Sequence, residues 1–183
     1  MHPDIGSLVS RCFYDGQLST PKHVRLARVG AFKRGLMRID AKGMEKSIEE
    51  EPSLCNYGHA CVAIDHVKGI RAQWPEKTIM VITFYRKQVE IMQNMWNSVD
   101  PAVRFMTVDG SQGKESDIVV LVTVRSNKRG SVGFLRNKAR INVAMSRAKD
   151  QLIIIAHSPT LRHDDTWASI IAAARGKPPM TVS

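Results

Sequence analysis

Short, almost wholly apolar segments that alternate with amphipathic ones constrain the fold of this chain more than any other feature. The segments Thr78–Thr83, Asp117–Val124 and Gln151–Ala156 read TIMVIT, DIVVLVTV and QLIIIA, and Arg104–Val108 is a shorter segment of the same kind. Apolar runs of this length are typical of strands that are buried on both faces of a parallel sheet. The sequence therefore predicts an α/β domain with a mostly parallel sheet and helices on both faces.

The segments between these runs supply the helices. Apolar residues recur at helical spacing in four stretches, and we expect helices over Asn56–Gln73, Arg86–Trp96, Leu135–Lys149 and Leu161–Ala174. A chain of 183 residues has the size of one compact domain. We therefore predict a single domain over residues 1–175, with most of its sheet and helices in 56–157, followed by a tail over 176–183.

The first 55 residues are predicted to be an irregular lead-in. Residues Asp4–Tyr14 carry apolar side chains at helical spacing, and the aspartate at their start stands where a helix cap is expected. Residues 15–35 contain glycine, proline and lysine and are expected to form a loop. Leu36–Asp40 is a candidate strand. The charged stretch 41–52 has no periodicity, so we expect a surface connection there.

Positive charge is the first indication of a partner. The chain has 27 Lys and Arg residues against 17 Asp and Glu residues, which gives a net charge of +10. From Ile118 to Lys149 there are eight basic residues and no acidic one. Such a surplus favours a polyanion, either a nucleic acid or a nucleotide, as the partner, and a solvated basic face is the alternative.

Cysteine count and hydropathy narrow the class of protein further. Three cysteines cannot form a disulfide scaffold, and an odd number fits a reducing compartment, so we expect an intracellular protein, cytoplasmic or nuclear. No apolar run reaches the roughly 18 residues that a membrane helix needs, so no membrane is expected as a partner. Cys55, His59 and Cys61 lack a recurrent zinc spacing, and we predict no metal site in this chain.

The segment Asp109–Glu115 (DGSQGKE) invites comparison with a phosphate-binding loop but lacks two of its required residues. A Walker A loop needs a glycine five positions before Gly113, where Val108 stands, and a Ser or Thr after its lysine, where Glu115 stands. The other Gly-Lys pair is followed by Pro178. We therefore expect that the chain cannot hold a nucleoside triphosphate and its metal by itself and is inactive alone.

Four segments, taken in order along the chain, carry a resemblance to a known family. They are Phe13–Gly16 (FYDG), Ile82–Gln88 (ITFYRKQ), Thr107–Asn127 (which contains TVDGSQGKESDIVVL and RSN) and Gly133–Lys149 (which contains GFL and RINVAMSRAK). The first resembles the stretch after the Gln-Tyr-Arg of superfamily 1 helicases of the Upframeshift type, and the others resemble motifs IV, V and VI of that family. Its members are ATP-driven motors that move 5′ to 3′ along nucleic acid.

The resemblance implies the second, C-terminal RecA-like domain of such a motor, a P-loop NTPase fold without its own P-loop. ATP and Mg²⁺ would be held mainly by a first RecA-like domain that carries the Walker motifs, and that domain is an expected partner. Arg147 would be the arginine finger, because a permanently charged, planar donor suits the charge that shifts in phosphoryl transfer. Gln112, Gly113 and Glu115 would line the nucleotide cleft.

The same resemblance places single-stranded RNA or DNA across the top of the domain, with sequence-independent phosphate contacts from Thr83, Thr107, Arg125 and Ser126. Tyr85 is expected either to stack or to pack in the core, and Asn142 to support the geometry around Arg147. Two functions stay open. The chain is the motor half of an ATP-dependent 5′-to-3′ RNA/DNA helicase, or it is a single-strand binding module without ATPase activity. A protein adaptor that uses 41–52 is a weaker third hypothesis.

Overall fold

A parallel sheet of six strands forms the centre of the domain. The structure, a computed structural model, describes residues 1–48, 51–97 and 100–177. Its strands are β1 (Leu36–Asp40), β2 (Lys46–Ile48), β3 (Glu51–Cys55), β4 (Ile79–Thr83), β5 (Val103–Thr107), β6 (Ser116–Val122), β7 (Ala148–Ala156) and β8 (Arg175–Lys177). The sheet has the order β5-β4-β6-β7-β1-β8 with every neighbouring pair parallel, whereas β2 and β3 form a separate antiparallel hairpin.

The helices form two groups that pack on this sheet. They are α1 (Pro3–Phe13), α2 (Lys22–Ala31), α3 (Tyr57–Gln73), α4 (Arg86–Trp96), α5 (Lys138–Ser146), α6 (Ser158–Leu161) and α7 (Asp165–Ala173). Helices α3 and α4 pack together, and α1 packs with α2, α5 and α7. Two 3-10 turns, Asp109–Ser111 and Gly133–Arg136, lie in the connections.

The middle of the sheet is covered on both faces. Each residue of Ile118–Val122 and of Leu152–Ala156 is at most 1% exposed. The register places Val120 opposite both Val81 of β4 and Ile153 of β7, so the apolar runs lie side by side. This arrangement confirms the α/β fold with a parallel, two-sided sheet that the alternation of apolar and amphipathic segments predicted.

The lead-in is more regular than the sequence suggested. Residues 15–35 contain α2, and 41–52 contain β2 and the start of β3, so the loop and the surface connection predicted there are wrong. Leu26 of α2 is 68% exposed, and an ion pair between Arg28 and the buried Asp150 of β7, at 2.6 Å, fastens the helix to the sheet. Strand β1 lies inside the sheet, beside β7.

Helix α1 is capped by His2 rather than by Asp4. The His2 ring is almost fully buried, accepts a hydrogen bond from the Asp4 amide at Nδ1 (3.1 Å) and bonds to the Phe32 carbonyl at Nε2 (3.0 Å). The Asp4 carboxylate accepts a hydrogen bond from the Gly35 amide (3.0 Å). The predicted capping role of Asp4 is therefore wrong, because its side chain points to the turn before β1.

Two predicted helices are each divided in the structure. The stretch 135–149 consists of the end of a 3-10 turn, α5 and the start of β7, and 161–174 is split between the last residue of α6 and the whole of α7. Asp164 caps α7 by accepting a hydrogen bond from the Trp167 amide (3.1 Å). Gly176 and Lys177 belong to β8, which pairs with β1, and not to a tail; residues 178–183 lie outside the described part of the chain.

Candidate functional site

The predicted site residues fall into two clusters at opposite edges of the sheet. Thr83, Thr107, Arg125 and Ser126 lie at or just after the carboxyl ends of β4, β5 and β6, and we call them the strand-end cluster. Arg147 and Glu115 stand just before β7 and β6, at the amino edge; with Gln112 and Gly113 they form the Arg147 cluster. Strand β6 has seven residues, so roughly 20 Å separates the two edges.

Arg147 is held firmly at the end of α5. Its Nε donates to the Val143 carbonyl (3.0 Å), Nη1 to the Lys114 carbonyl (3.2 Å) and Nη2 to the Ser146 hydroxyl (3.0 Å). The Arg147 carbonyl accepts a hydrogen bond from the Ser116 amide (3.1 Å), which ties the helix end to the start of β6. These bonds use three of the five guanidinium N–H groups within the described residues, and the half-buried side chain has two left for a ligand.

The loop beside Arg147 presents exposed polar groups. Gln112, Gly113 and Glu115 are all exposed, and Gly113 has φ +75°, a backbone conformation that favours glycine. The loop is anchored below by Ser111, whose buried hydroxyl donates to the Val108 carbonyl (2.6 Å). The structure therefore brings the four members of the Arg147 cluster together on one surface.

An ion pair that the motif comparison missed also holds this loop. Arg140 donates from Nε to one Asp109 carboxylate oxygen (3.0 Å), and its Nη2 lies 2.9 Å from the other. Such a two-point contact between a guanidinium and a carboxylate is geometrically specific. Arg140 is the third residue of α5, so this pair joins the beginning of α5 to the loop that Arg147 contacts at its end.

The strand-end cluster is less accessible than the sequence suggested. The Thr83 side chain is fully buried and its hydroxyl has no hydrogen-bond partner among the described residues. Arg125 is only 9% exposed, whereas Thr107 and Ser126 are half-buried. The four residues lie on one edge, as expected. Phosphate contact by Thr83 and Arg125 stays a prediction, and it requires the covering residues to move.

Glu45 organises this edge and was not identified from the sequence. Its carboxylate accepts hydrogen bonds from the Ser126 amide (2.7 Å) and from Nδ2 of Asn127 (3.0 Å), and it lies 3.1 Å from Nε of Arg125. Glu45 belongs to the stretch predicted to be a surface connection. Because its partners lie about 80 residues away along the chain, no local pattern could have marked it.

A strained turn directs Arg125 into the domain. Val124 has φ +67°, which is unfavourable for a β-branched residue, and the Arg125 amide donates to the Thr123 carbonyl (2.7 Å) across it. The Val124 carbonyl accepts a hydrogen bond from Nδ2 of Asn56 (3.0 Å). Gln88 bonds to the amide and the carbonyl of Asn56 (2.7 and 3.1 Å), so this buried pair holds the turn in place.

Two further predicted residues are Tyr85 and Asn142. The first is packed in the core, and the second joins two helices. The Tyr85 ring is 2% exposed and packs on Phe134, with ring centroids 5.9 Å apart. Burial raises the pKa of Tyr85, and the neighbouring Arg125 offsets part of that rise. Asn142 donates from Nδ2 to the Tyr14 hydroxyl (2.9 Å), which links α5 to the end of α1.

The described residues contain neither a metal-binding cluster nor a helix that could cross a membrane. Within them, no group of three His, Cys, Asp or Glu side chains is arranged to hold a metal ion. All three cysteines are free thiols. No described helix combines the length and the apolar character that crossing a membrane requires.

The parallel sheet with these loops defines a RecA-like α/β domain. The AAA domain family matches residues 1–159, and the chain belongs to that family. The solved C-terminal domain of a possible DNA helicase from Lactobacillus plantarum WCFS1 covers 94% of this chain and 94% of its own length, with a TM-score of 0.58. Its sequence identity is 11%, so this likeness shows the fold alone.

Two curated relatives agree with the motif comparison. "Helicase sen1" of Schizosaccharomyces pombe is 31% identical over 93% of this chain, and "5'-3' DNA helicase ZGRF1" of Mus musculus is 29% identical over 96% of it. The chain spans 11% and 10% of the lengths of these two proteins. Together with the family match, these findings confirm the recognition of a second RecA-like domain of the Upframeshift-type superfamily 1 helicases.

Proposed function

We propose that this domain supplies the arginine finger and part of the single-strand track of an ATP-driven helicase. The observation that carries the proposal is the placement of Arg147, which is fixed at the end of α5 beside an exposed loop and has two guanidinium N–H groups left for a ligand. A cation that is already positioned stabilises the charge of phosphoryl transfer without reorganising during the reaction.

ATP would lie between this domain and a first RecA-like domain that carries the Walker motifs. The exposed Gln112 side chain, the open backbone at Gly113 and the Glu115 carboxylate suit contacts to the nucleotide and to the water around it. By the family resemblance, Mg²⁺ would be held with the nucleotide mainly by the first domain, through one or two carboxylates and the phosphates. ATP bound there would supply the transferable phosphoryl group, and Arg147 would approach its phosphates from this side.

The nucleic acid would cross the carboxyl edge of the sheet. The half-buried Thr107 and Ser126 and the exposed Lys128 and Arg129 offer hydroxyl and cationic contacts to a phosphate backbone. Thr83 and Arg125 would contact the phosphate backbone only after the residues that cover them move. The mouse relative is by name a 5′-3′ DNA helicase, which supports 5′-to-3′ movement; a backbone-directed track suits DNA and RNA alike.

A binding module without ATPase activity is the second candidate function. It is supported by the net charge of +10 and by the mismatch of DGSQGKE to a Walker A loop. In that case the chain would bind single strands, and Arg147 would serve only to hold α5 against the loop. The two candidates differ in what the loss of Arg147 does to hydrolysis.

The test is strand-stimulated ATP hydrolysis by a protein in which this domain is joined to a first RecA-like domain with Walker motifs. Arg147→Ala should lower kcat by roughly 10³-fold or more and leave strand affinity within about two-fold. The control is Arg162→Ala, which removes an exposed arginine from the connection between α6 and α7. Equal turnover in wild type and Arg147→Ala would remove the arginine from the catalytic role and favour the binding module.

A further inference from the structure

A pocket of about 350 Å³ opens at the carboxyl edge between the β2–β3 hairpin and the 3-10 turn Gly133–Arg136. Its walls come from three separate parts of the chain, the hairpin, the ends of β4 and β6, and the turn; the lining residues are Ser47, Ser53, Leu54, Tyr85, Arg125, Gly133 and Phe134. This volume lies at the small end of the range for ligand pockets in proteins. The pocket therefore has room for one small planar group.

Tyr85 and Arg125 are both buried in this pocket and incompletely paired. The Tyr85 hydroxyl, in a residue only 2% exposed, has no hydrogen bond of good geometry within the described ranges, although the Arg125 side chain and the Phe134 backbone lie close enough to offset part of the rise in its pKa. Nε of Arg125 is likewise without a well-aligned hydrogen bond, although Glu45 lies 3.1 Å away. Buried polar groups are normally satisfied, so these two are suited to a ligand that brings its own donors and acceptors.

Gly133 makes room for the guanidinium. It has φ +53°, and a Cβ at this position would collide with Nη1 of Arg125 and lie 3.5 Å from the Tyr85 hydroxyl. Phe134, next to it, is 50% exposed although it is a large aromatic side chain. Proteins that bind single strands stack bases on aromatic side chains of this kind.

We propose that this pocket receives one unstacked nucleobase of the single strand, with Phe134 as the stacking platform and the Tyr85 hydroxyl bonding to the base edge. The inference rests on the proposed function, since the strand must first run along the carboxyl edge. Ser126 and the basic residues that follow it lie directly after Arg125 in the chain, so a strand held there by its phosphates can turn a base inward. The track thereby gains a contact to a base in addition to its contacts to the backbone.

The test compares an oligothymidine with an abasic strand of equal length and charge, both titrated with this chain at several salt concentrations. Wild type should bind the base-bearing strand roughly ten-fold more tightly, and Phe134→Ala and Phe134→Leu should remove that preference without changing affinity for the abasic strand. Phe134→Trp should restore it. The control Leu26→Ala removes an exposed apolar side chain of α2 and should keep the full preference.

A second readout reports directly on the pocket. The fluorescence of a strand that carries 2-aminopurine should fall on binding to wild type and to Phe134→Trp, and fall less with Phe134→Ala. Tyr85→Phe keeps the ring and removes only the unpaired hydroxyl, so it should weaken the base preference a few-fold. Salt-dependent binding with equal affinity for the two strands overturns the base pocket and leaves the track intact. No binding of either strand overturns the proposed function and the pocket together.

Discussion

Burial of His59 makes the stability of the domain depend on pH. The His59 ring is fully buried on α3, and neither ring nitrogen has a hydrogen bond of good geometry among the described residues. Burial lowers the pKa of His59 from its ordinary value of 6.5 to about 4; the nearby His157 lowers it further, and the backbone of Ala41 and the carboxylate of Asp40 offset part of the decrease. The folded domain therefore keeps this imidazole neutral.

The sign and size of the effect follow from proton linkage. Below pH 6.5 His59 becomes protonated in the unfolded chain but stays neutral in the folded domain. The free energy of unfolding therefore falls as pH decreases towards 4. Each unit of pKa difference corresponds to about 1.4 kcal/mol, so the whole loss is about 3 kcal/mol. Above pH 6.5 both states are neutral at this position and the effect is absent.

Urea unfolding between pH 4.5 and 7.5 measures this loss. His59→Gln removes the titrating group. Between pH 7.5 and 4.5 the unfolding free energy of wild type should therefore fall by about 2–3 kcal/mol more than that of the variant. The control is His23→Gln, which replaces an exposed histidine of α2 and should leave the pH profile unchanged. Parallel pH profiles for wild type and His59→Gln would refute the reasoning.

Two further predictions concern stability and use chemical unfolding at neutral pH. Asp150 is 1% exposed and pairs with Arg28 (2.6 Å) and Lys77 (2.9 Å), so Asp150→Ala should cost about 2–3 kcal/mol; Arg28→Ala should cost less because Lys77 still neutralises the carboxylate. A cost below about 0.5 kcal/mol for Asp150→Ala would show that the cations rehydrate freely. Trp167 is fully buried and donates from Nε1 to the Leu135 carbonyl (2.8 Å), so Trp167→Phe should cost about 1–3 kcal/mol by leaving that carbonyl unpaired. An unchanged unfolding midpoint would mean that water replaces the indole at that carbonyl.

Sequence reasoning found the elements that can be recognised from the pattern of their own residues. Strands β4, β6 and β7 are buried on both faces, so their apolar runs are visible without any knowledge of their neighbours. Helix α2 was missed because the glycine, proline and lysine residues of 15–35 favour a loop. Its attachment to the sheet depends on the pairing of Arg28 with Asp150, 122 residues further along the chain. Periodicity cannot report a contact between residues so distant in sequence.

The same distinction applies to the candidate site. Arg147 and the loop Gln112–Glu115 were identified because each belongs to a contiguous motif. Glu45 was not, because its role exists only once the β2–β3 hairpin stands beside the end of β6. The burial of Thr83 was also invisible, since a threonine at a strand end looks the same in sequence whether it is open or covered.

Strand separation coupled to ATP distinguishes a motor domain with an arginine finger from a binding module. The measurement uses a protein that joins this domain to a first RecA-like domain, with duplexes that carry either a 5′ or a 3′ single-stranded overhang. We expect ATP-dependent unwinding from the 5′ overhang. Arg147→Ala should lose it although that variant still binds the strand, and Arg162→Ala should retain it. Unwinding at the wild-type rate by Arg147→Ala would contradict the role of Arg147 as the arginine finger.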